Sequence, residues 1–359
     1  MTRGETDLLR RCVVVGGAGA VGGLFAGHLL RSGAEVVVVD PAPRTEQSSA
    51  EQSSAEQSSA GQPSAEQPSA GQPSAGQPSA GQPGAGGPRF RQGDITDIGP
   101  DLAEEIGRAD LVLLAVPEPV ALAAVKQVAA AMRPGALLAD TLSVKGPIAE
   151  AIRAHAGDVE AAGLNPMFAP SLGFAGRPVA AVVIHDGPRT RALLRLVDSW
   201  GGRAVRLGAD EHDRLAAATQ ALTHAAVLSF GFALARLGVG VAELAAVAPP
   251  PHATLLALLA RIASGTPEVY WDVQSANPQA AAARAALAEG VRTLAGLLDG
   301  PADGPSDGEA EFAAALGGLR DLLGPDLGFY RDTCAEMFGA LRPYQPNPST
   351  STSSPVTTD

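Results

Sequence analysis

The sequence predicts an α/β amino-terminal domain built on a doubly wound parallel sheet, followed by an all-helical domain. Up to Leu207, short β-branched runs alternate with helical patterns, which is typical of parallel strands joined by crossover helices. From Asp210 onward, alanine and leucine recur at helical spacing with few β-branched clusters. A glycine-rich turn follows the first strand, and ligands bind at such turns in open parallel sheets.

The first β-α-β unit lies between residues 11 and 40. Cys12 to Gly16 is β-branched and predicts a strand, Gly22 to Ser32 has helical spacing, and Glu35 to Asp40 predicts a second strand. The segments that follow alternate in the same way and therefore continue the sheet. Strands are predicted at Arg89–Asp94, Asp110–Pro117, Gly135–Thr141, Ala161–Leu164, Val179–His185 and Ala204–Leu207, and helical segments at Leu102–Ile106 and Val120–Met132.

Two low-complexity segments are not expected to fold. Eight five-residue repeats of the EQSSA and GQPSA type run from Glu46 to Ala85 and contain no apolar residue larger than alanine. Burial cannot offset the entropy lost on ordering them, and a solenoid would lack side chains to stack. We expect a first domain at 1–208 with a disordered insertion at 45–87, a helical domain at 209–344, and a disordered tail at 345–359.

Composition and charge argue against several classes of partner. The net charge is −12 at pH 7, which disfavours nucleic-acid and anionic membrane surfaces because both need clustered lysine and arginine. Neither of the two cysteines has metal or redox spacing, and no histidine pair has zinc-site spacing, so we expect no metal. The sequence has no signal-peptide segment and no uninterrupted 18-residue apolar run. These features favour a cytoplasmic protein.

The glycine-rich turn is the first candidate site. Gly17-Ala18-Gly19-Ala20-Val21-Gly22 matches G-x-G-x-x-G between a predicted strand and a predicted helix, as in Rossmann-type dinucleotide-binding domains. Such glycines allow a tight turn, a close backbone approach to pyrophosphate and close helix packing. Asp40, which ends the second strand, can accept from ribose hydroxyls and repel a 2′-phosphate, so NAD is favoured over NADP, although Arg44 weakens this preference. The alternative is a glycine turn that binds nothing.

Other polar residues follow predicted strands or share a helix face. Lys145 lies just past a strand, where ligand sites form in parallel sheets, although a lysine there is more often a solvated charge. Asn165 lies in a proline-stiffened loop that presents it at the sheet edge, or in a structural turn. Gln220 and His224 share a helix face, but a histidine in an alanine-rich helix is more often a core or surface residue than a ligand.

Several separate segments, taken in order, resemble the prephenate and arogenate dehydrogenase family. They are VVVGGAGAVGG, ADLVLLAVP, DTLSVKG, NPMFAPSLG, DEHD and QALTH, and the resemblance covers about residues 11–345 apart from the insertion. It implies NAD as cofactor and a helical domain that forms a homodimer. Members oxidatively decarboxylate a cyclohexadiene: hydride leaves the fourth ring carbon for nicotinamide, and loss of carbon dioxide makes the ring aromatic.

The resemblance also assigns residues to the site. It implies a position beside the cofactor for Val116 and Pro117, in addition to Gly17, Gly19, Ala20, Val21, Gly22 and Asp40. It implies catalytic roles for Asn165, Ser143 and His212, and substrate binding by Lys145, Gln220, His224 and Arg261. Arg261 matches an arginine that grips a substrate carboxylate.

Asn165 departs from the family pattern. It stands where the family's HPM motif has a histidine that bonds the substrate's 4-hydroxyl and assists its deprotonation. Asparagine does not titrate near neutrality, so it can orient a substrate but cannot act as a general base. A 4-amino substituent removes that need, because its nitrogen lone pair can expel hydride while the amide oxygen accepts from the amine. The Asn-Pro-Met-Phe loop resembles that of family members in antibiotic pathways that convert 4-amino-4-deoxyprephenate to 4-aminophenylpyruvate.

Two alternatives stay open. An ordinary prephenate or arogenate dehydrogenase of tyrosine biosynthesis would have to tolerate the loss of general-base help, worth about 10²- to 10⁴-fold in rate. A non-catalytic NAD(H)-binding regulatory protein would bind the cofactor and turn over no cyclohexadiene.

Overall fold

The computed structural model describes residues 7–41, 87–299, 308–342 and 344. The predicted disorder of the repeat at 46–85, the position of Arg44 and the tail at 345–359 lie outside these residues. The chain divides into two compact units, residues 1–213 and 214–359. The domain limits drawn from the sequence stay predictions.

The amino-terminal unit contains an eight-stranded sheet in the order β3-β2-β1-β4-β5-β6-β7-β8. The first six strands are parallel, and the order reverses at β1, which pairs with both β2 and β4. This reversal confirms the doubly wound sheet that the sequence predicts. The strands are Arg11–Val15 (β1), Glu35–Asp40 (β2), Arg89–Gln92 (β3), Leu111–Leu114 (β4), Leu137–Asp140 (β5), Glu160–Pro166 (β6), Pro178–His185 (β7) and Arg203–Arg206 (β8).

The last two strands depart from the parallel arrangement. β7 runs antiparallel to β6, and β8 runs parallel to β7. The segment between β6 and β7 contains only a 3₁₀ turn, Pro170–Leu172. A parallel neighbour needs a crossover connection that is usually an α-helix, and no helix is available here, so the chain turns back on itself.

Helices cover both faces of this sheet, and the strand sequences explain why. Successive β1 residues point to opposite faces, so that Val13 and Val15 join one buried cluster while Cys12 and Val14 join the other. A strand covered on both sides reads as a continuous apolar run. The helices are Ala20–Arg31 (α1), Pro100–Arg108 (α2), Glu118–Ala131 (α3), Gly146–His155 (α4) and Pro188–Ser199 (α5), and Ala209–Ala216 (α6) follows β8.

The regular secondary structure among the described residues of the carboxy-terminal unit is all helical, which confirms the predicted change of character. A π-helical turn at Ala217–Ala221 precedes α7, and such turns occur often at functional sites. The remaining helices are Leu222–Leu237 (α7), Val241–Val247 (α8), Pro250–Ala263 (α9), Pro267–Ser275 (α10), Ala280–Leu298 (α11), Gly308–Leu323 (α12) and Leu327–Gly339 (α13).

This unit buries few apolar side chains on its own. Its internal cluster of fully buried residues consists of Ala221, Val273 and Ala280. Many large apolar side chains are exposed, among them Phe232 and Trp271, each with 70% of its surface accessible. The helical run Ala209–Leu237 passes a length and composition test for crossing a membrane, with 28% of its most apolar window buried. A single such helix is weak evidence for a membrane span.

Candidate functional site

The glycine-rich loop after β1 is shaped by atoms that leave no room for side chains. Gly16 has a φ of +77°, and a Cβ built on it would lie 2.2 Å from the Ala115 carbonyl oxygen. A Cβ on Gly17 would lie 2.8 Å from the Val38 side chain, and one on Gly22 would lie 2.3 Å from the Gly16 carbonyl oxygen. The predicted need for glycine is therefore a packing requirement, and it extends to Gly16, outside the six-residue motif.

The start of α1 offers hydrogen-bond donors next to this loop. The first intrahelical bond is the one from the Gly23 N–H to the Gly19 carbonyl, so the N–H groups of Ala20, Val21 and Gly22 have no acceptor within the helix. Ala18, Gly19 and Ala20 are exposed. Free N–H groups at an accessible helix start attract anions, so the residues present fit a pyrophosphate.

Asp40 and Val116 also border the glycine loop. The Ala18 N–H donates to Asp40 Oδ2 at 2.9 Å, which ties the end of β2 to the loop. Val116, which follows β4, places its side chain 3.0 Å from a Cβ built on Gly16, and Pro117 is the N-cap residue of α3. The residues that the sequence assigns to a dinucleotide thus lie around one turn, at the point where the strand order reverses.

Lys145 lies in the interior of the amino-terminal unit. The prediction gives it a substrate contact, but its side chain is fully buried. The ammonium forms an ion pair with Asp140, at the end of β5, and donates to the Leu164 carbonyl oxygen at 2.9 Å. Burial lowers the pKa of Lys145, and the carboxylates of Asp140, Asp213 and Glu118 oppose that shift. In this arrangement Asp140 and the Leu164 carbonyl hold the Lys145 ammonium inside the edge of the sheet, and its predicted substrate contact stays a prediction.

Gly163 makes room for this buried lysine. It pairs with Asp140 in the β5–β6 register. A Cβ built on Gly163 would lie 2.8 Å from Lys145 Cδ and 2.9 Å from Asp140 Oδ2. The aliphatic part of the Lys145 side chain therefore crosses β6 at Gly163, where there is no side chain in its way. Asp140 Oδ2 is buried and has no hydrogen-bond partner among the described residues.

Asn165 and His212 lie together at the carboxyl end of β6. Asn165 Nδ2 is 3.1 Å from His212 Nε2, and His212 Nδ1 is 2.8 Å from Asp213 Oδ1. Asn165 is 3% exposed and His212 is 1% exposed. Both ring nitrogens of His212 therefore contact side chains of the chain itself, and its predicted catalytic role stays a prediction.

Asp213 connects this pair to the start of α4. Its two carboxylate oxygens accept from the N–H groups of Lys145 and Gly146, each at 2.8 Å. Burial by itself would raise the pKa of Asp213, but the hydrogen bonds from His212, Lys145 and Gly146 outweigh it and lower the pKa. Asp213 is therefore held as a carboxylate.

Ser143 lies between these groups in sequence, just after β5. It is half-buried, and the structure shows no hydrogen bond from its hydroxyl to any described residue. Its predicted catalytic role stays a prediction.

The other predicted substrate residues belong to the carboxy-terminal unit. The ring of His224 lies 5.0 Å from that of Tyr270, and its buried Nδ1 has no hydrogen-bond partner among the described residues. Burial lowers the pKa of His224, and the charge of Arg261 lowers it further. Arg261, on α9, is exposed. Gln220 lies in the π-helical turn, one turn before His224.

Sequence reasoning missed the residues that hold the predicted ones in place. Asp140 and Asp213 each stand inside a quoted segment, DTLSVKG and DEHD, but their roles depend on contacts across the sheet. Gly163 and Tyr270 have no sequence signal at all. Among the described residues no group of three His, Cys, Asp or Glu side chains could hold a metal ion.

Two family models match the chain. The model described as ketopantoate reductase PanE/ApbA matches residues 13–157, and the model described as prephenate dehydrogenase, dimerization domain, matches residues 208–298. The first range begins within strand β1 and contains strands β2 to β5, and the second range runs from α6 to α11.

Individual relatives cover more of the chain. The 4-amino-4-deoxyprephenate dehydrogenase of Streptomyces pristinaespiralis is 49% identical over 331 residues, which are 92% of this chain and 97% of that protein. The T-protein of Enterobacter agglomerans is 34% identical over 172 residues, 46% of this chain and 44% of that protein. The crystal structure of Aquifex aeolicus prephenate dehydrogenase with hydroxyphenyl propionate and NAD⁺ has a TM-score of 0.60 at 17% identity and covers 88% of this chain and 98% of that chain. At that identity the likeness concerns the fold.

Proposed function

The chain belongs to the prephenate dehydrogenase family, and we propose that it is the member that converts 4-amino-4-deoxyprephenate to 4-aminophenylpyruvate. One observation carries this substrate choice: the residue at the carboxyl end of β6 that would meet the ring substituent is Asn165, which is buried beside His212. An amide can accept from an amine but cannot take a proton from a hydroxyl near neutral pH.

The cofactor is NAD, which accepts the hydride when bound. The donors at the start of α1 and the glycine loop fit its pyrophosphate, and Asp40 lies where ribose hydroxyls are bound in such sheets. The Asp40 carboxylate would repel a 2′-phosphate. The Aquifex aeolicus relative was crystallised with NAD⁺, in agreement with this assignment.

The reaction requires little acid–base chemistry from the chain when the substituent is an amine. As the C–H bond at the fourth ring carbon breaks, the nitrogen lone pair forms the new C=N bond, and the hydride leaves with the bonding pair. The ring carboxylate then departs as carbon dioxide, and its bonding electrons complete the aromatic ring. Asn165 accepts an N–H of the amine through its oxygen, which has two lone pairs, and so orients the ring.

The carboxylates of the substrate need cationic or donor groups. Arg261 and His224 lie near one another in the carboxy-terminal unit, where the charge of Arg261 acts on His224. Arginine suits a carboxylate because its planar fork donates two parallel hydrogen bonds. We assign Arg261 and His224 to a substrate carboxylate, with Gln220 nearby in sequence. Ser143 keeps its proposed catalytic role.

The carboxy-terminal unit is proposed to form a homodimer. The family model that matches 208–298 is described as a dimerization domain. Large exposed apolar side chains on this unit would be covered by a second copy. They include Phe232, Leu237, Val247, Trp271, Val291, Leu298, Leu322, Phe329 and Tyr330. Light scattering after gel filtration should give twice the chain mass of 36.2 kDa, whereas a monomer would contradict this assignment. A cytoplasmic location stays a prediction.

The substrate is tested by following NADH formation with purified protein. Prephenate, arogenate and 4-amino-4-deoxyprephenate are offered side by side to the wild type, Asn165→His and the control Asn165→Ala. We expect turnover of the amino compound by the wild type, and a gain of prephenate turnover for Asn165→His of up to the 10²- to 10⁴-fold that a general base contributes. Asn165→Ala should turn over the amino compound more slowly than the wild type and should not gain turnover of prephenate.

Two other outcomes would contradict the proposal. Efficient turnover of prephenate or arogenate by the wild type would indicate an enzyme of tyrosine biosynthesis. Binding of NADH without turnover of any of the three compounds would indicate a regulatory protein.

A further inference from the structure

Both ring nitrogens of His212 are used within the protein. Nδ1 lies 2.8 Å from Asp213 Oδ1, and Nε2 lies 3.1 Å from Asn165 Nδ2. The side chain is 1% exposed. A histidine held in this way has no ring nitrogen to offer a substrate. Any effect that it has on the reaction therefore passes through one of its two partners, Asn165 or Asp213.

The direction of these two hydrogen bonds follows from simple chemistry. A carboxylate only accepts, so His212 Nδ1 carries the hydrogen that Asp213 receives. The Nε2 atom of the neutral ring is then an acceptor. Of the two ends of the Asn165 amide, only the NH₂ group can donate to it. The amide oxygen must consequently point away from His212.

The carboxylate of Asp213 is itself fixed in position by backbone hydrogen bonds. The N–H groups of Lys145 and Gly146 donate to its two oxygens, at 2.8 Å each. These donors belong to the start of α4 and are fixed by the backbone. The buried Lys145 ammonium donates to the Leu164 carbonyl oxygen. Asn165 follows Leu164 directly in the chain, so its backbone is held at this point. The backbone and side chain of Asn165 are thus held from two directions.

We propose that His212 is a positioning residue that, together with Asp213, fixes the orientation of the Asn165 amide. It holds the NH₂ group inward and so presents the oxygen as a hydrogen-bond acceptor for the substrate. This inference rests on the proposed function, because it explains how the site would select a ring substituent that donates hydrogen bonds. If the amide turned over, its NH₂ group would face the substrate, and that group cannot accept a hydrogen bond from the N–H of an amine.

The first test measures the tautomer of His212 and needs no substrate. Nitrogen-15 NMR of the full chain labelled on histidine, with the signals assigned by their loss in His212→Leu, reports which ring nitrogen carries hydrogen. We expect a protonated Nδ1 and an unprotonated, hydrogen-bonded Nε2 at neutral pH. A protonated Nε2 would overturn the proposal, because the amide would then have to present its oxygen to the histidine.

The second test is a double-mutant cycle on turnover. His212→Leu is measured in the wild type and in Asn165→Ala, with whichever cyclohexadiene the wild type turns over. A residue that acts only through Asn165 should lower kcat/KM about tenfold or more in the wild type and less than about twofold in Asn165→Ala. His212→Gln, which keeps an acceptor near the Nε2 position, should recover most of the loss. The NADH dissociation constant should stay unchanged in all variants.

Equal losses in the two backgrounds would overturn the proposal, because they would indicate that His212 only supports the fold. A loss in His212→Gln as large as that in His212→Leu would do the same. A failure of the proposed substrate is distinguishable from both, since it would appear as a wild-type preference for prephenate or arogenate. Neither the tautomer nor the ratio of losses depends on that preference.

Discussion

Replacing Lys145 by methionine tests the buried ion pair at the end of β5. The Lys145 and Asp140 side chains are each 1% exposed, and the ammonium also donates to the Leu164 carbonyl at 2.9 Å. Methionine fills a similar volume but leaves the Asp140 carboxylate buried without its counter-ion. Removing one partner of a buried pair costs about 3–5 kcal/mol. We expect Lys145→Met to lower the free energy of unfolding of the amino-terminal unit by about that amount.

The assay follows urea unfolding by tryptophan fluorescence. The chain has two tryptophans, Trp200 in the amino-terminal unit and Trp271 in the other, so a Trp271→Phe background isolates the relevant signal. The matched control is the double variant Lys145→Met with Asp140→Asn, which removes both charges and keeps an acceptor for the Leu142 N–H at 3.1 Å.

The double variant should recover most of the lost stability, since replacing both partners of a buried pair by uncharged groups is often close to neutral. If Lys145→Met unfolds at the wild-type urea concentration, the reasoning is refuted. A double variant as unstable as the single one would also refute it, because the loss would then come from packing and not from an unpaired charge.

Two further predictions concern pH and the cofactor loop. Burial, with a smaller effect of the Arg31 charge, lowers the pKa of His28 from 6.5 to about 4. The folded state therefore binds fewer protons than the unfolded state between these values, so stability should fall as the pH drops from 6.5 towards 4, and His28→Phe should flatten that slope in urea titrations. Gly22→Ala should weaken NADH binding in a fluorescence titration, since its Cβ would lie 2.3 Å from the Gly16 carbonyl oxygen. Gly27→Ala on the same helix is the control, because its Cβ would meet only the Arg31 side chain, at 3.3 Å; equal weakening by both would contradict the argument.

Much of the fold could be predicted from the sequence because its determinants are local. The β-branched runs between Cys12 and Asp40 form strands that are buried on both faces, and they flank a glycine turn and an amphipathic helix. Each predicted strand of the amino-terminal unit is present. The reversed direction of β7 could not be predicted, since it depends on how the 3₁₀ connection at Pro170–Leu172 returns the chain to the sheet.

Some residues of the candidate site could likewise be picked out from the sequence, and others could not. Residue types were enough to mark the glycine loop, Asp40 and the substitution at Asn165, because each of these has a chemical meaning of its own. The positions of Lys145 and His212 were not predictable. Residue identity indicates that a lysine or a histidine can contact a ligand, but burial and partners decide whether it does.

The sequence by itself therefore determined the class of fold, the position of the glycine-rich loop after the first strand and the presence of asparagine at residue 165. Only the tertiary structure decided that Lys145 points inward across Gly163 to Asp140, and that Asp213, His212 and Asn165 lie within hydrogen-bond distance of one another in that order. The reason is physical. Patterns along the chain follow from backbone geometry over a few residues, whereas these contacts join β5, β6 and α6, which are far apart in sequence and meet only when the sheet and helices pack.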